Sequence, residues 1–452
     1  MKPHSYTKTL MVGLVMSLTA TTAWAKSADL LWENRGQSAP FGRAYAIGGE
    51  GNVVVATGET CSALSFATCD WFVRAHDAKT GATLWEDRLD GGGLSDTAQT
   101  IAVDAGRVFA AGWVRTAAQG YDFVVRAYAL KSGQLLWTRR VDRRGRNERA
   151  FAVVAQEGRV FVAGNIGRDF ALLVIDPRTG NTLWESADAG VLGTANGVVV
   201  HGDRVFVVGT ISSGTPSGLS LLVRAYDART GALLWEDRAA DVLATLTGVN
   251  VDGLAVNGNL LFVGAGARNF DSINVGVDFM VRAYDVQTGA LVWVDQLHRQ
   301  DGGSPAALSL GAGRLFVWGW DCDETVFNCH GDVRAYDSQT GTLQWESRFT
   351  GPGGDIILPI PTAAFEAEGN QVFVGTGLLN LQGRYEWTVR SYDATDGTLR
   401  WENRIDDAGT VNVPFGLKAL DGRLYVAGQA EGSDDSDAFT IRAYDVGNQD
   451  ND

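Results

Sequence analysis

The chain has 452 residues, with 53 Asp and Glu against 38 Lys and Arg and a formal charge of −15. Such a surface repels polyanions, which excludes nucleic acid as a partner of the whole protein. Glycine is abundant at 56 and proline scarce at 9; with strong internal periodicity, that balance means many tight turns rather than disorder.

Residues 1–25 come first and stand apart. They carry Lys2 and Lys8, no acidic residue, an apolar run from Leu10 to Leu18, and a small-x-small ending at Ala23-Trp24-Ala25. That is the pattern of an export signal. A membrane anchor would need roughly 18 or more apolar residues. No cysteine follows the cleavage point, so no lipid anchor is expected, and no later segment is apolar enough to span a membrane. The expected organisation is a signal peptide over 1–25 and one mature domain over 26–452, periplasmic or secreted.

The mature part repeats itself. "VRAYDARTGALLWEDR" at 223–238 returns as "VRAHDAKTGATLWEDR" at 73–88 and "VRAYDVQTGALVW" at 281–293. Its tryptophan recurs as Trp32, Trp85, Trp137, Trp184, Trp235, Trp293, Trp345 and Trp401, at intervals of 47–58 residues. Every one but the first follows an Asp-x-x-[Thr/Ser]-Gly stretch, with Ala129 replacing the Asp in one copy and Asp396 preceding the Gly in another. Within one unit, 97–140, "TAQTIAVD", "RVFAAGWV", "DFVVRAYAL" and "QLLWTRR" read as four short strands with no helical period. Four antiparallel strands per ~50 residues make a propeller blade.

The ends set the expected count. The last unit has three strands and no tryptophan strand, whereas the mature chain opens with "ADLLWENR", a tryptophan strand with no unit before it. The strand at 28–35 is therefore expected to complete the blade of 415–446. The predicted fold is all-β, a single eight-bladed β-propeller closed by its own N-terminal strand. The repeated tryptophans are expected to pack between blades. Arg74, Arg126, Arg224, Arg282, Arg334, Arg390 and Arg442, one position of the third strand, are expected to form packing or ion-pair devices. His76 stands where other copies have Tyr and is read as packing.

Four cysteines form two close pairs, Cys61 with Cys69 and Cys322 with Cys329. In an exported chain these read as two disulfides. Metal ligation is the weaker reading, since neither pair is C-x-x-C and His330 is the one histidine near either.

Ala225, Asp227, Thr230, Gly231 and Trp235 spell Ala-x-Asp-x-x-Thr-Gly-x-x-x-Trp. Their copies resemble the tryptophan-docking repeat of the pyrroloquinoline-quinone-like (PQQ-like) propellers, over nearly all of residues 28–446. The resemblance implies one of two activities. One branch of that family holds quinoprotein alcohol dehydrogenases, with the quinone on the propeller axis near a calcium ion. The other holds noncatalytic scaffolds, such as the lipoprotein of the outer-membrane β-barrel assembly machinery. This sequence lacks the adjacent cysteines of many such dehydrogenases, a haem-binding C-x-x-C-H, and the scaffold's lipid-bearing cysteine.

In every unit the second-to-third loops and the connections between units are long, and they emerge on one face, where function on repeat scaffolds usually lies. The connection 138–149, "TRRVDRRGRNER", gathers Arg139, Arg140, Arg143, Arg144, Arg146 and Arg149 against Asp142 and Glu148. Arginine forks bind carboxylate or phosphate, so these six are the candidate site for a protein partner or acidic ligand. They could equally neutralise neighbouring acidic loops. "WGWDCDETVFNCHGD", 318–332, offers an aromatic, acidic contact loop or only a stapled surface. "EGSDDSD", 431–437, could hold calcium through carboxylates or be a solvated loop. No Gly-x-Ser-x-Gly, His-Glu-x-x-His or phosphate-loop motif occurs, and no catalytic residue, metal ligand or cofactor is assigned. The expected function is a noncatalytic binding scaffold; the alternative is a PQQ- and calcium-dependent dehydrogenase of alcohols or sugars.

Overall fold

The computed structural model describes residues 27–36, 41–62, 68–116, 120–143, 147–212, 219–239, 253–269, 276–297, 303–322, 329–350, 364–380, 382–405, 411–431 and 437–447. The expected signal segment and most of 431–437 lie outside them. The described residues form six four-stranded antiparallel sheets and one of seven strands. Among them no helix is long and apolar enough to cross a membrane.

Strands follow chain order within a sheet, as in Phe41–Glu50, Val53–Cys61, Cys69–Asp77 and Thr83–Leu89. First strands of successive sheets lie against one another. Second and third strands are buried almost throughout, as "VVVATGETC" is, because a neighbouring sheet covers each face. Fourth strands alternate exposed and half-buried positions, as "TLWEDRL" does; their charged side chains blunt an edge that would otherwise invite pairing. The seven-stranded sheet departs from the four-strand expectation. There Thr182–His201 runs on as one strand, pairing with Asp169–Ile175 over its first part and with Arg204–Ser212 over its second. It is the fourth strand of one meander and the first of the next.

One contact recurs from sheet to sheet. Trp184 lies on the shared strand of the seven-stranded sheet, and its indole N–H donates to the carbonyl of Ala228 in the turn of that sheet's second meander, 3.1 Å away. Asp227 shapes that turn by accepting from the amides of Arg229 and Thr230 and from the Thr230 hydroxyl. Those bonds hold its carboxyl below the usual range, the Thr230 hydroxyl most of all. Gly231 closes the turn at φ +75°, and a Cβ there would stand 2.7 Å from the Trp184 ring. Glycine is required twice over, by backbone sign and by the indole lying on it. Trp32, Trp85, Trp137, Trp235, Trp293 and Trp345 repeat the geometry, with N–H to carbonyl distances of 2.8–3.2 Å. Trp401 packs on Phe373 and Tyr444.

The N-terminal strand Leu30–Arg35 pairs antiparallel with Asp437–Asp445 and is the fourth strand of the last sheet. From there Trp32 donates to Ala78 O in the first sheet, and Glu33 receives the buried Arg442 at 2.5 Å. Ala44, Val54, Ala56 and Phe72 of the first sheet share a core with Tyr425, Ala427 and Phe439 of the last. Other third-strand arginines are held the same way: Arg224 by Glu236 and Tyr226, Arg334 by Glu346 and Tyr336.

His76 replaces the tyrosine. Its Nδ1 bonds Gly81 O at 3.0 Å, and its ring lies 6.0 Å from that of Trp32. Cys61 is bonded to Cys69, and Cys329, also disulfide-bonded, stands directly across the strand pair from Cys322.

Two outcomes are expected. Deleting residues 27–36 strands the buried Arg442 charge and removes the Trp32 contact, so urea unfolding should show a loss of at least ~3 kcal/mol. Burial lowers the His76 pKa to about 4, below the usual ~6.5. Its stabilisation is therefore complete above about 6.5 and lost as pH falls toward 4, up to ~3 kcal/mol. His76→Tyr, restoring the residue of the other copies, should flatten that part of the stability–pH curve.

Candidate binding face at the inner strands

The long connections meet at one end of the sheets. Asp96 N donates to Cys69 O and Glu148 N to Tyr121 O, tying two sheet-to-sheet connections to the start of the preceding sheet's third strand, and within the seven-stranded sheet Gly193 N donates to Arg168 O. The short turns are tied at the opposite end, as by Ala78 N to Asn52 O.

On the first strands, six bulges occur at one equivalent step. They leave Tyr45, Gln99, Phe151, Asn196, Ala306 and Phe415 as extra residues. Opposite each stands a second-strand glycine: Gly58, Gly112, Gly164, Gly209, Gly319 and Gly428. A Cβ on these would meet the bulge's carbonyl oxygen at 1.8–2.5 Å. The glycine is what lets the bulge fold inward. Sequence reading overlooked these residues, although a glycine at one fixed place in a buried strand is the available signal for a bulge.

The bulges re-aim side chains across sheet boundaries. Tyr45 packs on Phe415 at 5.6 Å, and Trp113 on Phe151 at 5.8 Å. The Tyr45 hydroxyl donates to Glu59 at 2.6 Å, and Thr97 donates to the other oxygen of Glu59 at 2.8 Å. Burial pushes the Tyr45 hydroxyl far above its usual pKa, with the Glu59 charge adding to it. Arg43 Nε donates to Gln429 at 2.7 Å. Arg149 lies over the rings of Tyr121 at 3.8 Å and Trp113 at 5.3 Å, a cation–π sandwich. The result is an arc of aromatic rings, arginines and one paired carboxylate along the inner strands.

The predicted arginine cluster divides. Arg140 binds the buried Asp122, with Nε to Oδ2 at 2.7 Å. Arg143 is paired with Glu185 of the next sheet. Arg149 belongs to the aromatic arc, and Arg139 lies on the fourth strand across from Val125. Arg144 and Arg146 lie outside the described residues. In the 318–332 stretch, Trp318 is buried against Phe349, and residues 323–328 lie outside the description. Of 431–437, Glu431 is buried and accepts from Val411 N at 2.9 Å.

A family model described as outer membrane protein assembly factor BamB matches residues 121–331 and 329–449. The chain belongs to this PQQ-like repeat family. Solved structures agree on the fold of a PQQ-like β-propeller. BamB from Moraxella catarrhalis is similar at 15% identity and TM-score 0.56, covering 92% of this chain and 99% of that one. The quinohemoprotein alcohol dehydrogenase ADHIIG from Pseudomonas putida HK5 is similar at 14% identity and TM-score 0.57, covering 93% and 76%. A europium-containing methanol dehydrogenase follows at 13% identity and TM-score 0.53, covering 89% and 85%. No curated protein matches the sequence.

In this PQQ-like propeller, Gly112→Ala should force the Thr97 carbonyl out of its bulge and cost ~2–3 kcal/mol. Gly253→Ala, whose Cβ would find its nearest neighbour 3.6 Å away, should be near neutral in the same urea titration.

Proposed function

We propose that the chain is an exported, noncatalytic PQQ-like β-propeller of eight blades that binds a protein or acidic ligand through its long-loop face. Eight blades follow if Thr182–His201 serves two of them, and Leu30–Arg35 then locks the ring. The packing of the first sheet on the last supports that closure. The export-signal pattern expected at 1–25 supports a location in the periplasm or outside the cell, with a single mature domain over 26–452.

The observation that carries the binding reading is the contrast between the two ends. The short-turn end is fixed by one repeated tryptophan contact, whereas the long-loop end carries a different set of side chains on each blade. Rigid backbone with varied loops is the arrangement of a recognition surface. The description of the matched family, an outer membrane protein assembly factor, points the same way.

The second reading, a PQQ- and calcium-dependent dehydrogenase, rests on the structural likeness to quinohemoprotein enzymes. Calcium beside the axis would need carboxylates on the first strands. Among the described residues, the groups with cation spacing are Glu59–Cys61–Cys69 and Asp70–Asp90–Asp96. The two cysteines are joined in a disulfide, and the three aspartates lie off the first strands. The described residues therefore do not fit that axial calcium.

Arg139, Arg140, Arg143, Arg144, Arg146 and Arg149 are the proposed contact residues on the partner side. Exposed pairs contribute only ~0–1 kcal/mol each, so binding is modest and weakens as salt screens it. Replacing Arg143, Arg144 and Arg146 with Ser should leave the fold intact and weaken binding of an oligo-glutamate peptide severalfold at low salt. Equal binding by variant and parent would return the arginines to internal charge balance. Robust dye reduction with an alcohol or sugar after adding PQQ and calcium would overturn the noncatalytic reading.

A further inference from the structure

Two first strands turn a polar side chain back onto the second strand of the preceding sheet, two residues before their bulge. Arg43 donates to Gln429 at 2.7 Å, and the Thr97 hydroxyl donates to Glu59 at 2.8 Å. Arg149 holds the same place before the bulge at Phe151. The residue it faces, Trp113, follows Gly112 as Gln429 follows Gly428 and Glu59 follows Gly58. An indole offers no acceptor. Arg149 Nε is accordingly buried without a hydrogen-bond partner, and the guanidinium lies over the rings of Tyr121 and Trp113. Stacking occupies the face of a guanidinium, whereas its N–H donors point outward in its plane, so the donors are left unspent.

A second arginine joins it. The guanidinium carbons of Arg115 and Arg149 lie 5.3 and 3.8 Å from the centre of one ring, Tyr121, and so within about 9 Å of each other. Among the described residues neither side chain makes an ion pair or a hydrogen bond. The nearby carboxylates are directed elsewhere. Asp96 takes the backbone amide of Arg115, Asp122 takes Arg140, and Glu148 is turned to the amides of Arg143 and Gly167. Residues 117–119 and 144–146, beside the pair in sequence, include no Asp or Glu. Arg115, Trp113, Tyr121 and Arg149 are all half-buried, open on one side to solvent.

We propose that Arg115, Arg149, Tyr121 and Trp113 form a site for an extended acidic segment of a protein partner, with an apolar side chain two residues from a carboxylate; this rests on the binding reading of the long-loop face. A carboxylate accepts two N–H bonds from one guanidinium fork, and the half-buried setting strengthens them. Side chains two residues apart on an extended segment share a face and stand ~7 Å from each other. The ring centres of Tyr121 and Trp113 are 6.5 Å apart. A carboxylate held at the arginines of Tyr121 therefore brings the apolar side chain over Trp113. Arg140 and Arg143 are spent on internal carboxylates, which moves the centre of recognition to Arg115, a residue outside the arginine-rich connection.

The test is fluorescence anisotropy on the full mature chain, with a labelled peptide in which Glu and Leu take turns at every second position and Ser fills the rest. The parent should bind it severalfold more tightly than a peptide of equal charge with Ser in place of Leu. Arg115→Gln/Arg149→Gln should weaken binding about tenfold or more. Arg149→Lys keeps the charge without the fork or the stacking plane and should lose most of the same affinity. Replacing Arg143, Arg144 and Arg146 with Ser should change it by no more than about twofold. Should the double variant misfold, Arg115→Gln alone, near the end of its strand, still reads the site. Binding that is unchanged in the Arg115 and Arg149 variants would overturn this site and leave the wider binding reading standing. A parent that binds neither peptide would overturn both. Inorganic phosphate displacing the labelled peptide as effectively as unlabelled peptide does would overturn the peptide assignment.

Discussion

The fold depends on a tryptophan that serves two sheets at once. A four-stranded sheet of this composition has apolar side chains on both faces and cannot be stable alone. It must be joined to its neighbours at a fixed angle, and the indole does this. Its N–H is spent on a carbonyl of the next sheet, as from Trp235 to Val286 O at 3.0 Å, and its face lies on the glycine of that turn, Gly289. The aspartate that orders the turn makes the acceptor available before the tryptophan arrives, so local turn chemistry and long-range packing favour the same arrangement. Because Trp32 makes this contact from the N-terminal strand to the first sheet, the last sheet is fastened by the same bond as the rest.

The opposite end is governed by a different constraint. Gly58 and its five equivalents admit a carbonyl that any Cβ would repel, and each so permits one bulged residue on the strand in front. The backbone of the bulge is therefore repeated while its side chain is free: Tyr45, Gln99, Phe151, Asn196, Ala306 and Phe415 differ in size and polarity. Variation at a repeated bulge changes what the inner strands present without disturbing the sheets behind. Those sheets are already held by the tryptophans and by buried pairs such as Arg442 with Glu33.

How much of this was legible in the sequence follows the range of the interactions. Strands, turns and the tryptophan period are written locally, and so is the pairing of Leu30–Arg35 with the last sheet, through its unmatched tryptophan. The continuous strand Thr182–His201 was not legible, because it lacks the long loop that separates the other units. Nor was the division of the arginine connection. The partners of Arg140 and Arg143 are Asp122 and Glu185, one on an earlier strand and one in the next sheet, so proximity along the chain said nothing about them. The burial of Glu148 was hidden for the same reason, since the sheets that cover it are distant along the chain.

The distribution of charge then limits what can approach. Most of the 38 cationic residues of this acidic chain are arginines, and several are placed inside, where each third-strand guanidinium meets a carboxylate, as Arg74 meets Glu86 and Arg334 meets Glu346. Those pairs cancel within the sheets, which leaves the excess of −15 to be carried by turns, loops and edges. An anionic partner is repelled over most of that surface, so on the proposed reading its attraction rests on the one connection where arginines gather. Specificity of this kind is achieved more by repulsion elsewhere than by affinity at the site. Both parts are screened over a Debye length of ~8 Å at physiological salt. Rising ionic strength should therefore weaken attraction at the connection and relax exclusion elsewhere, eroding selectivity faster than total binding.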